Sequence, residues 1–230
     1  MNSSDTSDLG SSGSSRRPKD YPSGLLHVEF DYPLDGLEEL HDWYNTEHIP
    51  ERLSIPGFVT GRRYTAVEGA PRWLALYELD SPAVLETPEY CRYKGEDETV
   101  WTKRILLTSR PSFRRSVHEL LWSESASTGD PKPPGPPGLF SLRVIAPTSG
   151  ASTALLDEDS ELRTLLSSPG VTRARLYRDL DAPNERLFLA DLDGVWAVQS
   201  AAFREGWSRL AAGLAERSPR YARGVYVLIL

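Results

Sequence analysis

Three segments of the chain recur in the same order and nearly the same register. GLLHVEFDYP, from Gly24, matches GLFSLRVIAP, from Gly138, at a spacing of 114. PGFVTGRRY, from Pro56, matches PGVTRARLY, from Pro169, at 113, and that register runs on to set LALYELD, from Leu74, over LFLADLD, from Leu187. RRSVHELLW, from Arg114, falls over ARGVYVLIL, from Ala222, at 108. Chance matches do not keep order and register together, so the 230 residues read as an internal duplication. Each copy, at about 100 residues, is large enough to hold a core.

The pattern inside one copy names its elements. Leu25 to Tyr32 reads as a strand with Leu26, Val28 and Phe30 on one side and His27 and Glu29 on the other. A helix comes next: Asp35 stands where it can cap the start, and Leu37, Leu40 and Tyr44 recur at helical spacing. Pro50 and then Pro56-Gly57 are expected to stop it. Phe58 to Val67 and Trp73 to Leu79 read as strands, joined by a turn holding Gly69 and Pro71. A helical region from Pro82 to about Thr108, interrupted at Pro88, leads to a last strand, Phe113 to Trp122.

The order β-α-β-β-α-β is that of a ferredoxin-like unit, here present twice. Each such sheet carries helices on one face and leaves the other bare. The expected fold is α+β: two tandem ferredoxin-like repeats whose bare faces stack within the chain as an intramolecular (pseudo-dimeric) α+β barrel. Two independent domains would leave an apolar sheet face unexplained. The expected boundaries are a polar, disordered tail at 1–23, a first repeat at 24–122, a Pro/Gly-rich linker at 123–137 and a degenerate second repeat at 138–230.

Composition excludes several roles. A net charge of −7 argues against nucleic-acid or anionic-membrane binding, which need a basic face. No apolar run approaches the ~20 residues that span a bilayer. The single cysteine, Cys91, allows no internal disulfide or cysteine-rich metal site, and has no obvious activating partner. There is no apolar signal core at the N-terminus, so a cytoplasmic location is expected. No G-x-G-x-x-G, P-loop, G-x-S-x-G or C-x-x-C occurs, so no nucleotide cofactor and no covalent Ser or Cys catalysis is expected. The expected partner is a small hydrophobic molecule, and the expected state a monomeric pseudo-dimer or a loose homodimer.

The stretch Leu40 to Phe58 holds the side chains that can move protons. On an α-helix His41, Tyr44 and His48, at i, i+3 and i+7, share a face. His48 can act as general acid or base; its structural alternative is to cap the helix end before Pro50. Tyr44 can orient the imidazole or donate to an oxyanion, or serve as an ordinary core tyrosine. Trp43, Trp73, Tyr77, Tyr64 and Trp101 can wall a flat ligand, most of them as plain core. Arg62 and Arg63 alternate sides of their strand; Arg63 can pair an anionic ligand, while Arg62, matched by Arg175 in the second copy, reads as structural. Glu51 can partner His48 or Arg52, or stand as an exposed turn charge. His27 is expected to face the barrel interior with Glu29, while the side of His118 on the neighbouring strand is ambiguous; if the two share a face, a polar cluster in the seam is expected rather than a metal site, for no metal-ligand spacing is present. All four histidines lie in the first copy, which is therefore expected to carry any site while the second completes the barrel.

HDWYNTEHIPERLSIPGFVTGRRY, with the later LALYELDSP, resembles the EthD-like branch of the dimeric α+β-barrel proteins. The carrier is a Y-x-x-x-H-x-P pattern, here Tyr44, His48 and Pro50. The resemblance covers residues 24–122; residues 138–230 match the fold pattern without the motif. Related barrels include cofactor-free monooxygenases, polyketide cyclases, isomerases, decarboxylases and haem enzymes, so fold alone selects no reaction. The resemblance implies a cofactor-independent enzyme acting by proton transfer (cyclase, isomerase, dehydratase or decarboxylase) on a small aromatic or polyketide-like molecule. His48 and Tyr44 would be catalytic, with His41, Trp43, Arg63, Trp73 and Tyr77 binding substrate. The alternatives are a cofactor-free monooxygenase of phenols and a non-catalytic binding or structural barrel. The last predicts a packed helix face with both side chains satisfied.

Overall fold

The computed structural model describes residues 21–94, 98–109, 112–126, 135–147, 160–216 and 220–229. The first half runs β1 (Gly24–Phe30), α1 (Leu37–Trp43), a wide turn of helix (Tyr44–His48), α2 (Ile49–Leu53), β2 (Phe58–Glu68), β3 (Trp73–Leu79), α3 (Pro88–Arg92), α4 (Val100–Ser109) and β4 (Arg114–Ser125). The second runs β5 (Gly138–Ile145), α5 (Ser160–Leu166), β6 (Val171–Asp179), β7 (Glu185–Leu192), α6 (Ala201–Glu216) and β8 (Arg220–Ile229). Both halves place their strands in the same order, fourth-first-third-second. The eight close into one barrel, β1-β3-β2-β8-β5-β7-β6-β4, through antiparallel seams at β2–β8 and β4–β6.

The expected tail lies outside the described residues except for 21–23, as do 127–134 of the expected linker; β4 itself runs on to Ser125. Asp35 does not cap α1. It sits in a 3₁₀ turn, Leu34–Gly36, and Gly36 occupies the cap position with no side-chain bond, because the chain enters the helix one turn earlier than the apolar spacing indicates.

Period-2 alternation sends one face of every strand into the barrel. Its middle layer is apolar and drawn from both halves, with Leu25, Leu74, Leu76 and Leu120 meeting Leu139, Tyr177, Leu187 and Leu189. A polar layer closes each end. At one end His27 and His118 meet edge to face at 5.6 Å with Ser116 between them, its hydroxyl 2.9 Å from His118 Nε2. Glu29 there pairs with Arg143 from the opposite side of the barrel, so the expected inward face of His27 and Glu29 is found, and His118 shares it.

At the other end Glu78 reaches across the barrel. Its Oε1 accepts from Arg173 Nη2 at 2.9 Å and Arg175 Nη1 at 2.7 Å, while its Oε2 accepts from Arg62 Nη1 at 3.2 Å and the Thr60 hydroxyl at 3.1 Å. Asp191 takes Arg173 Nε at 2.7 Å and Arg175 Nη2 on its two oxygens. Burial alone would raise the Glu78 carboxyl, but Arg173, Arg175 and Arg62 outweigh it and, with Thr60, hold it down at about 2. Arg62 and Arg175 occupy matching positions in the two halves, so the structural role expected for Arg62 has a concrete form.

Helices cover the outer faces. Trp43, Leu40 and Ile105 pack on Phe30 and Tyr77 in the first half; Leu162, Leu165, Phe203 and Leu210 pack on Phe140 and Phe188 in the second. Each of these fully buried side chains contributes about 1.5–3 kcal/mol. Gly57 and Gly170 turn the chain into β2 and β6 at φ +94° and +85°, and a Cβ at Gly57 would collide with the Val84 side chain.

Candidate functional site

Pro50 does not stop the first helix; it widens it. A proline has no N–H, and its ring clashes with the carbonyl four residues back. The turn Tyr44–His48 relieves this as a π turn, with the Ile49 N–H donating to the Tyr44 carbonyl, five residues back, before α2 continues with Pro50 in its first turn. One extra residue in the turn rotates α2 by roughly 100° about the helix axis relative to α1. His41 and His48 therefore do not share the face that α-helical spacing gives them. Residues i and i+5 come together instead: the His48 ring stacks on the Trp43 indole at 4.2 Å and 28°.

The indole is itself anchored. Trp43 Nε1 donates to Thr102 Oγ1 at 3.0 Å and to Glu47 Oε1 at 3.2 Å. The same Glu47 oxygen accepts from the Thr102 hydroxyl at 2.9 Å and from the Thr99 hydroxyl at 2.6 Å, tying the π turn to the start of α4. Tyr44 and Tyr77 present edges to the imidazole at 5.4 and 6.1 Å.

A cavity of about 570 Å³ opens between this turn and the outer face of β1 and β3. Trp43, Tyr44 and His48 line it from the turn, Arg52 from α2, Tyr90 from α3, and Leu26, Val28 and Tyr77 from the sheet. His48 is half-buried, and it contributes surface to this cavity. Burial, then the charges of Arg52 and Arg63, drive its imidazole well below its ordinary value, so it is neutral at pH 7. Burial raises the Tyr44 and Tyr77 phenols, which stay protonated donors. Among the described residues, three buried atoms of the lining lack any hydrogen-bond partner: His48 Nδ1, Arg52 Nη1 and Tyr77 Oη. A buried polar atom left unpaired costs about 1–3 kcal/mol, so three in the lining set this wall apart from an ordinary packed core.

Of the residues expected from the sequence, His48, Tyr44, Trp43 and Tyr77 meet at the cavity. His41, Arg63 and Trp73 do not line it. Arg63 lies over the Tyr44 ring at 4.0 Å, its Nη2 is 2.9 Å from His41 Nδ1, and His41 packs edge-on to Trp73 at 5.3 Å. The three form a cluster backing Tyr44, because the extra residue of the π turn leaves His41 on the far side. Glu51 makes no ion pair with His48 or Arg52 among the described residues. Arg52 and Tyr90 were not singled out by sequence reasoning as lining residues, although Arg52 stands four residues after His48, a spacing that keeps both on one helix face. In the second half a pocket of about 260 Å³ lies between Trp207 and Arg223, lined by no histidine or tyrosine. Among the described residues no cluster of His, Cys, Asp and Glu is arranged to hold a metal ion, and no helix is long and apolar enough to cross a membrane.

No family model matches the sequence, and no curated protein matches it. Solved structures do. A candidate monooxygenase from Fusobacterium nucleatum superposes with a TM-score of 0.62 at 9% identity, over 91% of this chain and 94% of that one. The chain shares an α+β barrel fold with it. An anthrone oxidase-like protein gives 0.59 at 15% identity, over 90% and 91% of the two chains. A candidate monooxygenase from Lactobacillus acidophilus gives 0.53 at 10%, over 90% and 93%. At such identities the likeness is one of fold.

Proposed function

We propose that this protein is a cofactor-independent monooxygenase of a small, flat phenolic or anthrone-like aromatic, with the cavity beside the π turn as its active site. The observation that carries this reading is the aromatic-caged imidazole of His48, stacked on Trp43 and edged by Tyr44 and Tyr77, on the wall of an open cavity. A neutral imidazole can take a proton from an activated C–H or phenol. The substrate anion that results is electron-rich enough to react with dioxygen directly. In the anthrone case a CH₂ carbon and O₂ give a carbonyl and water, so atoms balance without a further reductant. Tyr44 or Tyr77 would donate a hydrogen bond to the oxygen of that anion.

Two of the solved neighbours carry the monooxygenase name and one the anthrone-oxidase-like name, which gives the reading its direction. The non-oxidative chemistry expected from the sequence, such as cyclisation or isomerisation, begins with the same proton abstraction. A binding or structural role predicts a packed face, and the open cavity with its unpaired atoms speaks against it. Membership of the EthD-like group and descent from one duplicated unit belong to the same proposal, supported by the Tyr44-His48-Pro50 motif and the common strand order of the halves. So do a cytoplasmic location and a monomeric or loosely dimeric state.

The test is an oxygen-electrode trace with a panel of anthrones, naphthols and phenols. The expected result is uptake that matches product formation one to one and falls at least a hundredfold in His48→Ala, as for loss of a general base (about 10²–10⁴-fold). Product formed without oxygen uptake would replace the oxygenase reading with the non-oxidative one. Full activity in a folded His48→Ala would remove His48 from the chemistry.

A further inference from the structure

The cavity is apolar in its walls but cationic in its charge. Among the described residues, Arg52, Lys94, Lys103 and Arg115 line it together with one carboxylate, Glu98. None of these four cations makes a salt bridge among the described residues, whereas the arginines inside the barrel are matched by Glu78, Asp191 and Glu29.

Arg52 is the decisive one. Its side chain belongs to a residue only 7% exposed, yet among the described residues it meets no carboxylate, and its Nη1 has no acceptor. Aromatic faces hold it in place: the guanidinium lies 5.3 Å from the Tyr90 ring and 5.5 Å from Tyr93. The Tyr90 ring also carries Lys94 at 4.9 Å, and the Tyr90 hydroxyl accepts from Arg115 Nη2 at 3.2 Å. One tyrosine thus gathers three cations at the cavity. Ring quadrupoles offset only part of the cost of burying a guanidinium, and a carboxylate matches its planar fork with two parallel hydrogen bonds.

We infer that the cavity takes an aromatic acid, its carboxylate received by Arg52 with Arg115 and Lys94 alongside, and its ring system held between Trp43, Tyr77 and Leu26. This names the substrate class within the active-site reading above and rests on it. The volume of about 570 Å³ suits two or three fused rings. The carboxylate end then fixes which ring position meets His48, so the anion is a specificity handle rather than the reacting group.

The test is equilibrium binding of two probes, 1-hydroxy-2-naphthoate and its methyl ester, by tryptophan quenching and calorimetry on the full chain. The acid is expected to bind about ten- to hundredfold more tightly than the ester, the range of a charge-assisted hydrogen bond. Arg52→Gln should erase that ratio while leaving ester affinity in place, Arg52→Lys should keep part of it, and added salt should narrow it. Equal binding of acid and ester, an undiminished ratio in folded Arg52→Gln, or no binding of the acid at millimolar concentration would each overturn the inference. Binding is read without turnover, so its failure is separable. Acid-selective binding with no oxygen uptake would sink the oxygenase reading alone, and turnover of neutral aromatics with no acid preference would sink this one alone.

Discussion

Replacing Asp191 with asparagine removes a charge that no neighbour can supply. Asp191 is fully buried and takes Arg173 Nε at 2.7 Å and Arg175 Nη2 on separate oxygens. Three guanidiniums, of Arg62, Arg173 and Arg175, already face only two carboxylates in this end of the barrel. Asparagine keeps the shape, but turns an amide N–H₂ toward one guanidinium and leaves three cations on Glu78 alone. Breaking a buried pair from one side costs about 3–5 kcal/mol. For a chain of this size that lowers the melting midpoint by on the order of 10 °C. The assay is a urea melt followed by circular dichroism, with Glu205→Gln as control. Glu205 pairs with Arg209 at 2.8 Å on the exposed face of α6, and its loss should cost no more than about 0.5 kcal/mol. Adding Arg175→Met to Asp191→Asn should recover stability, since it removes the stranded charge. An Asp191→Asn protein within about 1 kcal/mol of the parent, set against the range above, would refute the claim that this buried charge network stabilises the barrel.

Stability should also fall in mild acid. Burial, then Arg143 and Arg114, keeps the His27 imidazole well below its ordinary value, and burial, then His27 and the same arginines, does so for His118. Both bind a proton near pH 6.5 when unfolded but not when folded. The stability they hold is complete above that pH and drains as pH falls below it, by about 1.4 kcal/mol per pH unit for each. Melts from about pH 7 to 5 should be steeper for the parent than for His118→Gln, and equal slopes would contradict this. Thr102→Val should cost about 1–3 kcal/mol, because the buried Thr102 hydroxyl joins the Trp43 indole to Glu47. It should also lower turnover through a loosened His48–Trp43 stack; an equally stable and active variant would show that the anchor does not position the imidazole.

Much of this architecture was legible in the sequence. Alternation put Leu26, Val28 and Phe30 under the helices and His27 and Glu29 inside the barrel, since strand phase is a local property. The matched Arg62 and Arg175 pointed to structure, and each has a carboxylate on the neighbouring strand, but the contact of Glu78 with Arg173 and Arg175 crosses the barrel, where spacing along the chain carries no information. At the candidate site, Trp43, Tyr44, His48 and Tyr77 line the cavity, while Arg63 and Trp73 sit on strands behind Tyr44 and His41 lies on the far side of the widened turn. Pro50 reads as a helix stop, whereas the helix absorbs it by widening a turn, and α2 rotates relative to α1. Arg52 escaped notice as a cavity cation because its defining feature, burial without a carboxylate, exists only once Tyr90 and Tyr93 fold against it.

The most direct measurement is a crystal structure with 1-hydroxy-2-naphthoate bound, prepared without oxygen. The account expects the ring system against Trp43 and Tyr77, the hydroxyl within hydrogen-bond distance of the His48 imidazole, and the carboxylate on Arg52. A ligand seated elsewhere, beside Trp207 or between the sheets, with the His48 ring untouched, would contradict it.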